Sequence, residues 1–180
     1  MTLAETYRTI ADRFGAVVEA VPDAGWAAPS PCAGWSAADV VDHVVTTERE
    51  FLERVGLDAP DVEGLDRPAA WRTVRGAVEA VLDGPDAERE YDGHFGRTTV
   101  AATIGQFYVP DLVIHRWDLA RATGQTAAER IDEEESRLVR DALSPLGDSL
   151  RQPGVFGPAR DVPDDADEQT RLLAFAGRDT

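Results

Sequence analysis

The sequence predicts an all-α protein, a four-helix bundle with additional C-terminal helices. Two observations predict it. Apolar residues recur at alternating three- and four-residue steps in four long stretches, and capping residues or helix-breaking Pro and Gly bound those stretches. A third observation sets the scale: 180 residues with 43% hydrophobic content suit one domain, residues 1–180, with a proper core and a Pro/Gly-rich tail from about residue 151.

Helix one is expected from about Leu3 to Val21, where Leu3, Tyr7, Ile10, Phe14, Val17, Val18 and Val21 make one stripe. Pro22, Asp23 and Gly25 end it, and Trp26 to Trp35 reads as a Pro/Gly-containing loop. Ser36 is an N-cap with Asp39 three residues on as its capping-box partner, opening a second helix to about Val55. Its core stripe is Val41, Val44, Val45, Leu52 and Val55, with His43 on the margin. Asp66 caps a third helix with Pro68 at its first position, ending near Asp83-Gly84-Pro85. Trp71, Val74, Ala77, Val78 and Val81 give it a core face.

Arg89 to Thr98, which carries His94, reads as a loop or short extended piece. The fourth long helix runs from about Thr99 to Ala122 and stops at Gly124, with a kink expected at Pro110. From Asp132, three consecutive glutamates suit the start of a fifth helix reaching about Leu150. After the Pro/Gly/Asp-rich tail, a short helix spans Glu168 to Ala176.

Composition removes several function classes. The formal charge is −16, from 34 acidic against 18 basic residues, so the surface repels nucleic acid and anionic membranes. Cys32 is the single cysteine, which excludes an intramolecular disulfide and a cysteine-built zinc knuckle. No run approaches the roughly 18 apolar residues of a membrane span, and the first turn lacks a signal peptide's apolar region, so a soluble cytoplasmic protein is expected. There is no phosphate-cradling G-x-x-x-x-G-K-[ST], no G-x-G-x-x-G and no G-x-S-x-G. All basic residues are arginine, so no lysine Schiff base can form. The Ala/Arg/Asp/Val-rich, lysine-free composition points to a GC-rich genome, such as an actinobacterial one, or to a salt-loving organism.

Chemistry concentrates in the fourth long helix. At roughly 100° per residue, Asp111, His115 and Asp118 fall within about 60° of one another, amid Phe107, Leu112, Ile114 and Leu119. Buried polar groups require partners, so this cluster calls for a cation, a hydrogen-bonded network or a wet cavity. One reading is a mononuclear metal site of His43, Asp111 and His115, which suits zinc, nickel or iron and leaves positions open for water or substrate. The other is a structural pair in which His115 bonds Asp118 or Asp111. Asp118 serves either as a fourth ligand or as an acceptor holding the ring N–H of a ligating histidine, the second being favoured. His94 is a candidate replacement for Asp111 or an ordinary loop histidine. Cys32 precedes a helix N-terminus, which lowers a thiol pKa, and is a candidate nucleophile or a loop-packing residue. Trp26, Trp35, Trp71 and Trp117 read as core and loop anchors.

The stretches Pro31-Cys-Ala-Gly-Trp-Ser-Ala-Ala-Asp-Val-Val-Asp-His43, Asp111-Leu-Val-Ile-His115-Arg-Trp-Asp-Leu-Ala-Arg-Ala-Thr-Gly124 and Leu172-Leu-Ala-Phe-Ala-Gly-Arg178-Asp carry a resemblance. The chain resembles the DinB/YfiT-like metal-binding four-helix bundles, and more closely the metal-binding domain of actinobacterial mycothiol-dependent maleylpyruvate isomerases. The resemblance implies that His43, Asp111 and His115 are the metal ligands and that the bundle's chain order is non-sequential. It also implies a glutamate where this chain has the shorter Asp111. Those isomerases carry an additional C-terminal domain, so maleylpyruvate is not carried over as substrate.

The expected function is therefore that of a divalent-metal-binding protein, zinc first. It is read as a metal-dependent S-transferase or isomerase that uses a low-molecular-weight thiol such as mycothiol on a small electrophile. A non-catalytic metal-binding or ligand-sensing protein and a metal-assisted hydrolase are the alternatives. Arg97, Arg116 and Arg121 are the arginines considered for an anionic substrate, and spacing selects none of them. Pairing into a homodimer through helix faces fits such a bundle.

Overall fold

A computed structural model describes residues 1–151 and 156–179 of the chain. Part of the expected Pro/Gly-rich tail, residues 152–155, lies outside the described residues. The long helices are α1 (Leu3–Glu19), α2 (Ala37–Arg54), α3 (Arg67–Asp83) and α5 (Val109–Ala122). A hairpin of β1 (Glu90–Gly93) and β2 (Gly96–Thr99) precedes a short α4 (Val100–Thr103), and α6 (Glu133–Leu143) and α7 (Glu168–Phe175) follow. The protein is all-α apart from that hairpin, as the sequence predicts. No helix among the described residues is long and apolar enough to cross a membrane.

Each start has a physical cause. Thr2, Ser36 and Asp132 cap α1, α2 and α6 through reciprocal capping boxes with Glu5, Asp39 and Glu135. Asp66 accepts from the Ala69 N–H at the head of α3, where Pro68 occupies the first turn. Replacing Ser36 with alanine should cost about 1 kcal/mol, read as a lower urea midpoint, because Asp39 keeps its charge but the Asp39 N–H loses its acceptor.

Packing order differs from chain order. α1 lies against α3 and α5, and α2 lies against α3 and α5, so α1 and α2 are diagonal across the bundle. The core fills the space between them with Tyr7, Phe14, Val41, Phe51, Leu52, Trp71, Val74 and Leu112. Phe14 meets Trp71 edge to face at 4.9 Å. Gly15 permits that contact: a Cβ there would sit 3.0 Å from the Trp71 Nε1.

Two elements depart from expectation. Pro110 produces no simple kink; the chain widens into a π-helical turn over Ile104–Tyr108, where the Val109 N–H reaches back five residues to the Ile104 carbonyl. The wider turn accommodates a proline that lacks its own N–H and crowds the preceding turn. The helix expected to reach Leu150 stops at Leu143, because Pro145 has no N–H to continue it. It continues as 3-10 turns over Ser144–Arg151, with Gly147 at φ 50°.

Helix α5 is buried on nearly every side from Val109 to Ala120. Its polar residues therefore sit inside the molecule, and what they pair with is settled by the neighbouring helices.

Candidate metal centre

Asp111 and His115 stand one turn apart on α5, and His43 approaches them from the facing α2. The Asp111 Oδ1 lies 3.3 Å from the His115 Nε2, and its Oδ2 lies 3.6 Å from the His43 Nε2. One donor atom from each of the three falls within 4.8 Å of the others. Three donors about 2.0–2.1 Å from a tetrahedral zinc stand about 3.4 Å apart, and the three side chains bring their donor atoms near that spacing, although Asp111 faces the two imidazoles with different oxygens. The shorter aspartate reaches both imidazoles. An imidazole, an imidazole and a carboxylate on one open face is the donor chemistry of zinc, nickel or iron.

Asp111 and His115 hold each other in their charged forms. Burial opposes ionisation of Asp111, but His115 and then His43 hold its carboxyl well below the usual range. Burial likewise opposes the His115 imidazolium, yet Asp111 and Asp118 outweigh it and push it up to about 9. Two carboxylates thus flank one ring, a place where a divalent ion can replace the proton.

Asp118 points away from the triangle. Its Oδ2 lies 3.0 Å from the His115 Nδ1, and Arg178 grips it from the other side. Burial raises its carboxyl, but the His115 and Arg178 hydrogen bonds prevail and lower it. A carboxylate paired to arginine only accepts, so the His115 Nδ1–H is directed at Asp118, and Nε2, which faces Asp111, is the nitrogen that can meet a cation once its own proton leaves.

The triangle opens into a cavity of about 720 Å³. Trp35, Phe107 and Tyr108 line it beside the histidines, and the C-terminal segment from Ala176 to Asp179 closes another side. Trp35 stacks on His115 with ring centroids 5.7 Å apart and planes 18° apart, and it tilts against His43 at 4.8 Å. It is more than a loop anchor. The signal for it in the sequence is its position immediately before the Ser36 cap, which ties the loop to the helix that carries His43.

The other sequence candidates resolve differently. His94 sits in the hairpin turn against Phe95, outside the cluster, while Phe95 stacks on the cavity residue Phe107. Cys32 lines the cavity, but burial pushes its thiol up, against the lowering expected near a helix N-terminus. Arg97 pairs with Glu90 on the hairpin, Arg116 with the buried Glu135, and Arg121 with Glu129. The arginines that line the cavity are instead Arg160 and Arg178, neither of which spacing singled out.

The family of the mycothiol maleylpyruvate isomerase N-terminal domain matches residues 7–120, the span that holds His43, Asp111, His115 and Asp118. Two uncharacterized proteins of Mycobacterium tuberculosis, MT0763 of strain CDC 1551 / Oshkosh and Rv0738 of strain ATCC 25618 / H37Rv, are similar in sequence over most of the chain. Each is 28% identical over 173 residues, covering 93% of this chain and 92% of the relative. No solved structure matches the chain.

Proposed function

This chain belongs to the mycothiol maleylpyruvate isomerase N-terminal domain family, and on that premise we propose that it is a divalent-metal-dependent thiol S-transferase or isomerase acting on a small electrophile. The observation that carries the reading is the triangle of His43, Asp111 and His115 at the wall of a cavity of small-molecule size. His43, Asp111 and His115 would hold the ion, zinc by preference, and Asp118 would fix the ring of His115. The ion, when bound, supplies a Lewis-acid centre that keeps a low-molecular-weight thiol as its thiolate near neutral pH.

The chain's own residues do the rest. Trp35, Phe107 and Tyr108 exclude water from one side of the centre and offer flat apolar surface to a bound molecule. Arg160 lines the cavity in an exposed ion pair with Asp179, and an anionic group on the electrophile would take the place of that carboxylate. Mycothiol is the thiol that the family's name suggests.

The test is turnover by zinc-loaded protein, with mycothiol and a panel of small unsaturated acids, epoxides and alkyl halides. Consumption of an electrophile that requires both metal and thiol supports the reading. Turnover without thiol assigns the site to metal-assisted hydrolysis, and thiol binding without turnover leaves a binding protein. Purified chain that holds no metal and takes up neither zinc, nickel nor iron removes the reading altogether.

A further inference from the structure

The buried carboxylate of Asp118 is shared between His115 and the end of the chain. Its Oδ2 accepts from Nη2 of Arg178 at 2.7 Å, and its Oδ1 accepts from Nε at 3.1 Å. The third guanidinium nitrogen, Nη1, donates to the Ala176 carbonyl at 2.8 Å. The side chains of Arg178 and Asp118 are 6% and 0% exposed. A carboxylate gripped by this two-pronged fork has one orientation, and that orientation presents Oδ2 to the His115 Nδ1.

The backbone delivers Arg178 deliberately. The Arg178 N–H bonds the Leu173 carbonyl and the Gly177 N–H bonds the Ala174 carbonyl, the paired pattern that ends a helix in a left-handed residue. That residue is Gly177 at φ 81°, where a Cβ would stand 3.1 Å from the Pro158 carbonyl oxygen. A buried ion pair gains little net stability over apolar packing, so stability alone gives weak reason for an arginine here.

We propose that Arg178 is a positioning residue for the His43, Asp111 and His115 centre: by clamping Asp118 it fixes the ring plane and the Nδ1–H tautomer of His115, and hence the direction in which Nε2 meets a divalent cation. This rests on the metal reading above. It makes the C-terminal segment part of the site, both as a wall of the cavity and as the support of one ligand.

Zinc affinity by calorimetry, with the folded state checked by circular dichroism, tests it in R178M, R178K, D118N and the R178M/D118N double variant. Loss of the clamp should weaken zinc binding by roughly 10–100-fold in R178M and in D118N. The double variant should bind no more weakly than either single one, because both remove the same support. R178K, a point charge without the fork, should fall between R178M and the parent chain. The second readout is the His115 ring N–H in nitrogen-resolved NMR of metal-free protein, sharp in the parent and broadened by exchange in R178M. Folded R178M with parental affinity and an unchanged ring signal overturns the proposal while leaving the metal reading intact. A parent chain that binds no zinc, nickel or iron overturns the metal reading and this proposal with it. If R178M does not fold, the comparison of R178K with D118N decides on the same criteria.

Discussion

Replacing His43 with alanine weakens zinc uptake and removes most of the thermal stabilisation that zinc gives the parent protein. Zinc sites release on the order of 10–16 kcal/mol across four ligands, so one ligand's share is about 2.5–4 kcal/mol, or roughly a hundredfold to several hundredfold in affinity. His43 is the cleanest of the three to remove. Its side chain is 27% exposed, against 7% for His115, so the substitution leaves the core of the bundle in place. By linkage, zinc at a thousand times its dissociation constant stabilises the parent by about 4 kcal/mol, and H43A should show only a minor part of that shift. H94A is the internal control, since His94 lies in the hairpin turn outside the cluster, and it should behave as the parent. Metal content by mass spectrometry and melting curves with and without zinc measure both effects. An H43A protein that retains one equivalent of zinc at parental affinity would show that the triangle is a structural network.

That prediction depends on a residue the sequence placed poorly. Periodicity put His43 at the edge of the α2 stripe, where a histidine has no special standing. It becomes part of a site only because α2 packs beside α5 while α1 lies diagonally opposite α2, a non-local arrangement that only the family resemblance implied. Asp111, His115 and Asp118 were legible because they interrupt an apolar stripe on one helix, and the same local logic found the Ser36, Asp66 and Asp132 caps. The π-helical turn before Pro110 and the early end of α6 were not legible. Proline announces that the regular ladder fails, and the surrounding packing decides how the chain repairs it. Arg178 is sixty residues from its partner Asp118, and no local spacing connects them.

Glu48 shows a different kind of legibility, and it yields the second large effect. It falls between Val45 and Leu52 on the face of α2 where an apolar residue belongs, and it is 2% exposed. Its Oε2 accepts from the Tyr7 hydroxyl at 2.9 Å, while Oε1 has no partner among the described residues. Burial raises its carboxyl from the ordinary 4.5 to about 8, against the lowering by the Tyr7 hydrogen bond and with a smaller push from Asp111. At low pH the folded and unfolded chains both hold the proton and Glu48 is neutral in each. As pH rises past 4.5 the unfolded chain ionises first, and the folded chain follows only near 8. The folded state then binds the extra proton, so stability falls across that window and the loss is complete above it. The shift corresponds to a loss on the order of 5 kcal/mol. Glu48→Gln removes the ionisation and keeps a carbonyl for the Tyr7 hydroxyl. Its stability relative to the parent should therefore rise steadily from pH 5 to pH 8, in urea titrations of metal-free protein at matched pH. His115 titrates in part of the same range but is common to both proteins, so it cancels in the difference. A difference between the two that stays flat across that range would mean that Glu48 is ionised in the folded state and that an additional partner meets its Oε1.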